Sequence, residues 1–191
     1  MPPKTKFAQE EIVEAAFEIA KEEGIESITI RKVASKLGSS IAPIYVNFKT
    51  IEELKEAVIQ RIFKLSEELL KVRYTDQPFL NVGIASLRFA KDYPMLFRDL
   101  MLSNNKYLQN HQPDLSGVFQ EMGQDPELEG FTQEQMLEVL FKMRVFTLGL
   151  SVMEANGLLP KEFDDQAVID FLASMGSDVV AAARLKSQNN D

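Results

Sequence analysis

Residues 29–50 of the chain read TIRKVASKLGSSIAPIYVNFKT, and they carry the clearest structural signals in the sequence. Thr29 is a favourable N-cap for a short helix that turns Val33 inward, and Gly38 predicts the end of that helix. Pro43 fits the first turn of a second short helix, because a missing N–H costs nothing there. The stretch therefore predicts two short helices joined by a tight turn.

The rest of the sequence repeats its apolar residues with a helical period almost throughout. Thr50 and Glu53 form a capping box that predicts the start of a long helix. Further helices are predicted at residues 9–23, 78–92, 94–102, 114–122, 133–155 and 165–186. The predicted fold class is all-α, with an N-terminal three-helix helix-turn-helix domain. The predicted divisions are residues 1–50 for that domain, 51–73 for a connecting helix, 74–186 for a second helical domain and 187–191 for a polar tail.

The composition excludes several classes of site. The chain has 191 residues, with 45% hydrophobic and 26% charged residues, which is typical of a globular protein. It has no cysteine and a single histidine, His111, so thiolate metal sites and paired-histidine sites are excluded. We predict no cofactor, no metal, no enzyme activity, no membrane span and a cytoplasmic location. His111 lies in a polar segment beside Pro113 and is predicted to be a surface loop residue, with a ligand contact as the alternative.

The charge of the chain is unevenly distributed. The formal net charge of −8 argues against non-specific binding of nucleic acid. Residues 1–73, however, carry 12 basic and 12 acidic side chains, whereas residues 74–191 carry 9 basic and 17 acidic ones. Residues 29–50 hold four basic side chains and no acidic one. The sequence therefore predicts a local cationic surface suited to phosphate.

Four short motifs in the first third of the chain resemble the DNA-binding domain of TetR-type transcriptional regulators. They read TIRKVA, LGSS, IYVNFK and EEL, and the similarity covers residues 8–60. The resemblance implies a sequence-specific DNA-binding regulator of transcription. It further implies a repressor that a small-molecule effector releases from a pseudo-palindromic operator. The second domain would then bind the effector and form a homodimer.

The resemblance also implies which residues meet DNA. Ser40 would cap the second short helix and face phosphate, and Lys4 and Lys6 would lie on an arm near the minor groove. The other implied DNA-binding residues are Thr29, Arg31, Ser39, Ile41, Ala42, Pro43, Tyr45 and Lys49. Since Ile44 and Phe48 already fill the inward face of the second short helix, Tyr45 is free to face phosphate.

The sequence departs from the usual TetR pattern in three places. Lys32, in the first short helix, replaces a common acidic residue, and Ser39 lies where a small apolar residue is common. At the start of the second short helix, Ile41, Ala42 and Pro43 occupy positions where polar residues often lie. Apolar side chains can contact thymine methyl groups but cannot hydrogen-bond to base edges. We therefore expect phosphate contacts and DNA shape to contribute most of the recognition.

The second half of the chain carries the expected dimer surface and effector pocket. The helices at 133–155 and 165–186 are apolar on two faces, whereas a surface helix needs only one apolar stripe. With the resemblance, this pattern predicts a homodimer through a four-helix bundle. A largely apolar effector would meet an adaptable aromatic and methionine-rich pocket. The predicted pocket residues are Phe89, Tyr93, Phe97, Met101, Phe119, Met122, Phe141 and Phe146.

Two other functions remain open at this point. One is a DNA-binding regulator that responds to a protein partner instead of a small molecule. The other is a helical adaptor that has lost DNA binding. Thr29, Tyr45 and Lys49 argue against the adaptor, because core packing alone does not require them.

Overall fold

The computed structural model describes residues 7–102 and 114–188, which fold into helices with no β-strand among them. The α-helices are α1 (Gln9–Glu23), α2 (Ile30–Lys36), α3 (Ala42–Asn47), α4 (Ile51–Leu70), α5 (Pro78–Asp92), α6 (Pro94–Phe97), α7 (Ser116–Gly123), α8 (Gln133–Ala155) and α9 (Asp165–Gln188). Short 3₁₀ turns lie at Ile25–Ser27 and Pro126–Leu128, and a π-helical turn, Arg98–Leu102, continues α6. The predicted all-α class is confirmed.

Most helix boundaries follow the sequence signals. Helices α1, α5 and α8 have the predicted bounds, and the Thr132 hydroxyl caps α8 by accepting the N–H of Gln135 at 3.3 Å. The predicted end of α4 at residue 73 was wrong, since the helix ends at Leu70. Its last turn tightens there, because the N–H of Val72 donates to the carbonyl of Leu69 and no longer follows the α-helical spacing.

The helices form two compact units, each built from two separate stretches of chain. Of the residues that the structure describes, the first unit contains 7–66 and 93–102, and the second contains 67–92 and 114–188. Helix α4 therefore contributes residues to both units. The sequence-based division after residues 50 and 73 assigns roles to segments and stays a prediction.

The core of the first unit is supplied by the apolar stripes of its helices. On α1, Ile12, Ala16, Ile19 and Ala20 are buried. Side chains elsewhere in this unit with no exposed surface include Val33, Ile44, Leu54, Val58, Ile59, Ile62 and Leu96. Burying this much apolar surface fixes how α2 and α3 lie on α1 and α4.

Gly24 and Asp99 join the end of α1 to the π-helical turn within the first unit. Gly24 has a φ of +93° and a ψ of 161°, a backbone conformation that is essentially restricted to glycine. The N–H of the buried Ile25 donates to Oδ2 of Asp99 at 2.7 Å. Asp99 Oδ1 accepts from the Arg98 guanidinium at 2.9 Å. The carboxylate therefore satisfies a buried backbone donor that neither α1 nor the 3₁₀ turn can satisfy.

The second unit has two apolar clusters. The first cluster joins α5, α8 and α9 through Ile84, Leu87, Met143, Leu150, Val168 and Leu172. The second cluster joins α7, α8 and α9 through Met122, Leu128, Val139, Leu140, Val180 and Ala183.

At the edge of the first cluster, the Lys91 ammonium bonds to the Asp165 carboxylate and lies 3.4 Å from Glu154. The hydrogen bond that Lys91 donates to Asp165 raises the pKa of Lys91, and the same bond lowers the pKa of Asp165.

Helix α8 has one buried and one exposed apolar face, as the sequence predicted. Leu140, Met143 and Leu150 lie on the inner face and are buried. On the outer face Leu137, Phe141 and Val145 are 47%, 66% and 58% exposed. What covers this outer face stays a prediction.

Candidate nucleic-acid interface

The turn between α2 and α3 is fixed by backbone hydrogen bonds. The Thr29 hydroxyl caps α2 as predicted, accepting the N–H of Lys32 at 3.3 Å. At the other end Gly38 adopts a φ of +62°. The N–H of Ser39 then donates to the carbonyl of Ala34 at 2.9 Å, which closes a Schellman motif. Helix α3 therefore leaves α2 in a defined direction.

Helix α3 begins without the predicted serine cap. Its N-cap position is Ile41, which has no polar side chain, so the prediction that Ser40 caps α3 was wrong. The Ser39 hydroxyl donates to the carbonyl of Ser40 at 2.8 Å instead. Pro43 lies in the first turn of α3, as predicted, and supplies the fixed φ that starts a helix without a cap.

The outward side of α3 is mainly apolar, and we call its exposed side chains the recognition face. Ile44 and Phe48 point inward and are buried. The recognition face consists of Ile41, Ala42, Tyr45 and Val46. Pro43 is only half-buried and adjoins this face.

Val46 is the member of the recognition face that the sequence reasoning missed. It is 84% exposed, against 53% for Tyr45 and 46% for Ile41. Its position supplied a signal, because it directly follows Tyr45 on a helix whose inward positions are Ile44 and Phe48. A side chain this exposed contributes little to the packing of the core.

The cations near this face are not all available to a partner. Lys32 Nζ lies 2.5 Å from Glu23 Oε2, and Lys36 Nζ lies 3.4 Å from Glu22 Oε1. Helix α1 thus neutralises two of the four positive charges in residues 29–50. Arg31 and Lys49, both exposed, form no ion pair with any carboxylate in the described part of the chain.

Lys49 is held at the start of α4 by its backbone. Its N–H donates to Glu53 Oε2 at 2.7 Å, and the N–H of Glu53 donates to the Thr50 hydroxyl at 3.1 Å. The predicted capping pair is therefore present, but Glu53 reaches one residue further back than a standard capping box. This geometry fixes the backbone of Lys49 and leaves its ammonium group free to bind.

Asn47 connects α3 to the amino-terminal end of α1. Its side-chain nitrogen donates to the carbonyl of Pro43 at 2.9 Å and to that of Phe7 at 3.5 Å. The predicted DNA-contacting residues Lys4 and Lys6 lie outside the described residues.

The residues of the predicted effector pocket are distributed over both units. Tyr93, Phe97 and Met101 belong to the first unit, and the other five belong to the second. Phe89, Phe97 and Met122 are buried, whereas Met101 and Phe141 are 43% and 66% exposed. Phe141 fits the outer face of α8 better than a cavity. The pocket as a whole stays a prediction.

Two depressions lie within the second unit. One is a small cavity beside the Lys91–Asp165 pair, bordered by Ile84, Leu87 and Val168, and it contains none of the predicted residues. The other is an open groove between α7 and α8 that is lined by Leu115, Phe119 and Leu137 among others. Phe119 is thus the one predicted pocket residue that lines either depression.

Residues 7–102 and 114–188 hold neither a metal cluster nor a membrane span. No group of three or more histidine, aspartate or glutamate side chains there is arranged to hold a metal ion. No helix in these stretches is long and apolar enough to cross a membrane. His111, the candidate ligand contact, lies outside the described residues.

Comparison with known protein families matches the amino-terminal domain. Residues 12–58, which include α2, α3 and the turn between them, match the family described as bacterial regulatory proteins, tetR family. The HTH-type transcriptional repressor DrrR1 of Streptomyces coeruleorubidus is 34% identical over 65 residues. That match covers 34% of this chain and 24% of the repressor, so it spans about a quarter of the relative's length.

Solved structures resemble the chain over nearly its whole length. One is a single-residue variant of TetR from Acinetobacter baumannii AYE in complex with minocycline. It has a TM-score of 0.56 and 15% sequence identity, and the match covers 93% of this chain and 96% of that one. Another is the transcriptional regulator SCO7222, a TetR from Streptomyces coelicolor, with a TM-score of 0.56, 17% identity and coverage of 96% and 97%. At such identities the likeness establishes the fold.

Proposed function

We propose that the chain, which belongs to the TetR family by its amino-terminal domain and its fold, is a sequence-specific DNA-binding regulator of transcription. The observation that carries the proposal is the exposed recognition face, accompanied by two cations, Arg31 and Lys49, that no described carboxylate neutralises. A short helix with an exposed outer side fits the major groove, and free cations on adjoining residues fit phosphates. In this role the chain acts in the cytoplasm and catalyses no reaction.

The polar residues that the resemblance assigns to DNA have the following roles in this proposal. Arg31 and Lys49 neutralise phosphates, and the Tyr45 hydroxyl donates to a phosphate oxygen. The Thr29 hydroxyl accepts a bond from the backbone and still has its proton to donate. The Ser39 hydroxyl donates within the chain, so we assign it a smaller contribution than Ser40.

The proposed form is a homodimer through the outer faces of α8 and α9. On α8 the exposed apolar side chains Leu137, Phe141 and Val145 recur every fourth residue. On α9 the exposed Phe171 and Leu185 flank small residues that allow close approach of a second helix. Apolar stripes of this kind are typical of the contacts between helices in a two-fold bundle. A two-fold dimer presents two α3 helices to a pseudo-palindromic operator.

The proposed activity is repression that a small, largely apolar molecule relieves. The repressor DrrR1 and the minocycline complex of the Acinetobacter protein support this proposal by similarity. An effector that binds one dimer arrangement better than another shifts the population toward it, and its differential affinity sets the loss of operator affinity. Because α4 contributes residues to both units, we assign the transmission of this change to α4.

The test begins with the DNA itself. The full-length protein is used to select fragments from genomic DNA, and the affinity for the selected operator is measured by gel shift over a range of salt concentrations. We expect Tyr45→Phe and Lys49→Ala to weaken binding, and Lys49→Ala to reduce the slope of log affinity against log salt by about 0.9. Lys161→Ala, an equal loss of charge on the loop before α9, serves as the control.

Two results contradict the proposal in different ways. If no fragment is enriched, the chain does not recognise DNA sequence. If an operator is found but both variants bind it with unchanged affinity, the DNA-binding surface lies elsewhere. Release of the operator by a protein fraction, with no response to small molecules, would favour the protein-partner alternative.

A further inference from the structure

We infer that the recognition face reads the 5-methyl groups of thymines in the major groove, and that Val46 is the residue that determines this specificity. The inference rests on the proposed function and specifies the chemistry by which α3 distinguishes one DNA sequence from another. By this inference, the preferred DNA site is distinguished by the thymine methyl groups in its major groove and not by the hydrogen-bonding edges of its bases.

The first argument is the composition of the recognition face. Of its four side chains, Ile41, Ala42 and Val46 have no polar atom, and the fourth is Tyr45 with its single hydroxyl. Direct reading of a base edge in the major groove requires donors or acceptors, usually from arginine, lysine, asparagine or glutamine. None of these four residue types is exposed on α3.

The second argument concerns the polar side chains that adjoin this face. The Ser39 hydroxyl donates to the carbonyl of Ser40 at 2.8 Å. The amide nitrogen of Asn47 donates to the carbonyl of Pro43 at 2.9 Å, and the residue is half-buried. Both donors are therefore committed to the backbone. Redirecting either one to a base would break an existing bond, so the gain would be small.

The third argument is the exposure of Val46. A valine that is 84% exposed leaves nearly all of its apolar surface in water. In the major groove, the thymine methyl is the one apolar group that distinguishes a base pair, and contact between it and an apolar side chain removes both from water. Val46 therefore has the most surface to gain. Arg31 and Lys49 hold the phosphates and provide affinity that does not depend on sequence.

The experiment compares thymine with uracil, which differs only by the missing methyl group. The protein selects its operator as above, and duplexes are then made with uracil in place of thymine inside the half-sites. A control duplex carries the same number of uracils outside the half-sites. We expect the affinity to fall about fourfold for each contacted methyl group removed, because burying one such group changes an equilibrium constant by about that factor.

A variant separates direct contact from an effect of uracil on DNA shape. Val46→Ala should weaken binding to the thymine operator severalfold and change binding to the uracil operator much less, since the methyl contact is already lost there. Val46 is too exposed for this change to disturb the fold, which circular dichroism can verify. Val72→Ala, at a valine that is 45% exposed beyond α4, is the matched control and should leave both affinities unchanged.

The outcomes are distinct. Equal affinity for the thymine and uracil operators would overturn the inference while leaving the proposed function intact. Val46→Ala losses of equal size on both duplexes would overturn the role of Val46. Selected half-sites that contain no thymine would also overturn the inference. A failure to select any DNA would refute the proposed function, and the inference would fall with it.

Discussion

Replacing Gly24 by alanine should destabilise the chain by two separate mechanisms. At a φ of +93° and a ψ of 161° an L-residue is strained by about 1–3 kcal/mol. In addition, a methyl group on Gly24 would lie 2.7 Å from Asp99 Oδ2 and 3.0 Å from Arg98 Nη2. Asp99 must then move away from the Ile25 N–H, and leaving that buried donor unsatisfied costs about 1–3 kcal/mol.

The expected loss for Gly24→Ala is therefore about 2–6 kcal/mol in the free energy of unfolding. The assay is urea unfolding of the full-length protein followed by circular dichroism, with Gly38→Ala as the matched control. Gly38 also has a positive φ, +62°, but no atom lies within 4 Å of its added methyl group. We expect a loss of about 1 kcal/mol there from backbone strain alone.

A double variant isolates the contact with Asp99. Asp99→Ala alone removes the acceptor for the Ile25 N–H, and in the Gly24→Ala background it also removes the clashing carboxylate. The double variant should therefore lose at least about 1 kcal/mol less in the free energy of unfolding than the sum of the losses of the two single variants. Strictly additive losses in the free energy of unfolding would contradict the predicted clash between the added methyl group and Asp99. A Gly24→Ala loss no larger than that of Gly38→Ala would contradict it as well.

Three further predictions concern charge and assembly. Asp165→Asn should remove the ion pair with Lys91, because the amide carries no charge. The hydrogen bond from Lys91 lowers the pKa of Asp165 from its ordinary 3.8, so the stabilisation is present above that value and is lost as the pH falls. The variant should thus lose stability less steeply than the unmodified chain in unfolding measurements between about pH 5 and pH 2. Glu23→Gln should free Lys32 and steepen the salt dependence of operator binding in gel shifts by up to about 0.9 in slope. Phe141→Glu should convert dimers into monomers in analytical ultracentrifugation, with the helix content unchanged.

Each of these predictions has a control and a contradicting result. A pH profile for Asp165→Asn that parallels that of the unmodified chain would show that the ion pair contributes nothing. Glu162→Gln makes the same change of charge on an exposed residue of the second unit, and a salt slope equal to that of Glu23→Gln would contradict the role of Lys32. Val72→Glu should leave the dimer intact; if Phe141→Glu does so too, the outer face of α8 is not the dimer surface.

The helix-turn-helix was predictable because its signals are local. The Thr29 cap, Gly38 and the placement of Pro43 depend on neighbours within one turn of helix, so the sequence contains the whole argument. The all-α fold was predicted for the same reason and is confirmed, and the match of residues 12–58 to the tetR family agrees with the motifs that predicted it. The prediction that Ser40 caps α3 failed because a serine near the start of a helix favours a cap but does not fix the residue at which the helix begins.

The charge argument needed the tertiary structure. The sequence places four cations in residues 29–50 with no acid among them, yet Glu22 and Glu23 of α1 neutralise Lys36 and Lys32. These pairs join residues 14 and 9 positions apart, a separation that no helical period predicts. Of the four cations in this segment, two therefore have carboxylate partners in the fold, and the other two, Arg31 and Lys49, have none in the described part of the chain.

Caps, turns and apolar periods act between near neighbours, so the fold class, the bounds of most helices and the helix-turn-helix segment could be predicted from the residues alone. Which side chains of that segment are exposed, and which of its cations lack a described carboxylate partner, became known from the packed helices. The tertiary structure also revealed Val46 on the recognition face and Asp99 at the end of α1. The physical reason is that burial and ion pairing depend on residues far apart in the chain, such as Ile25 and Asp99, that meet only when the helices pack.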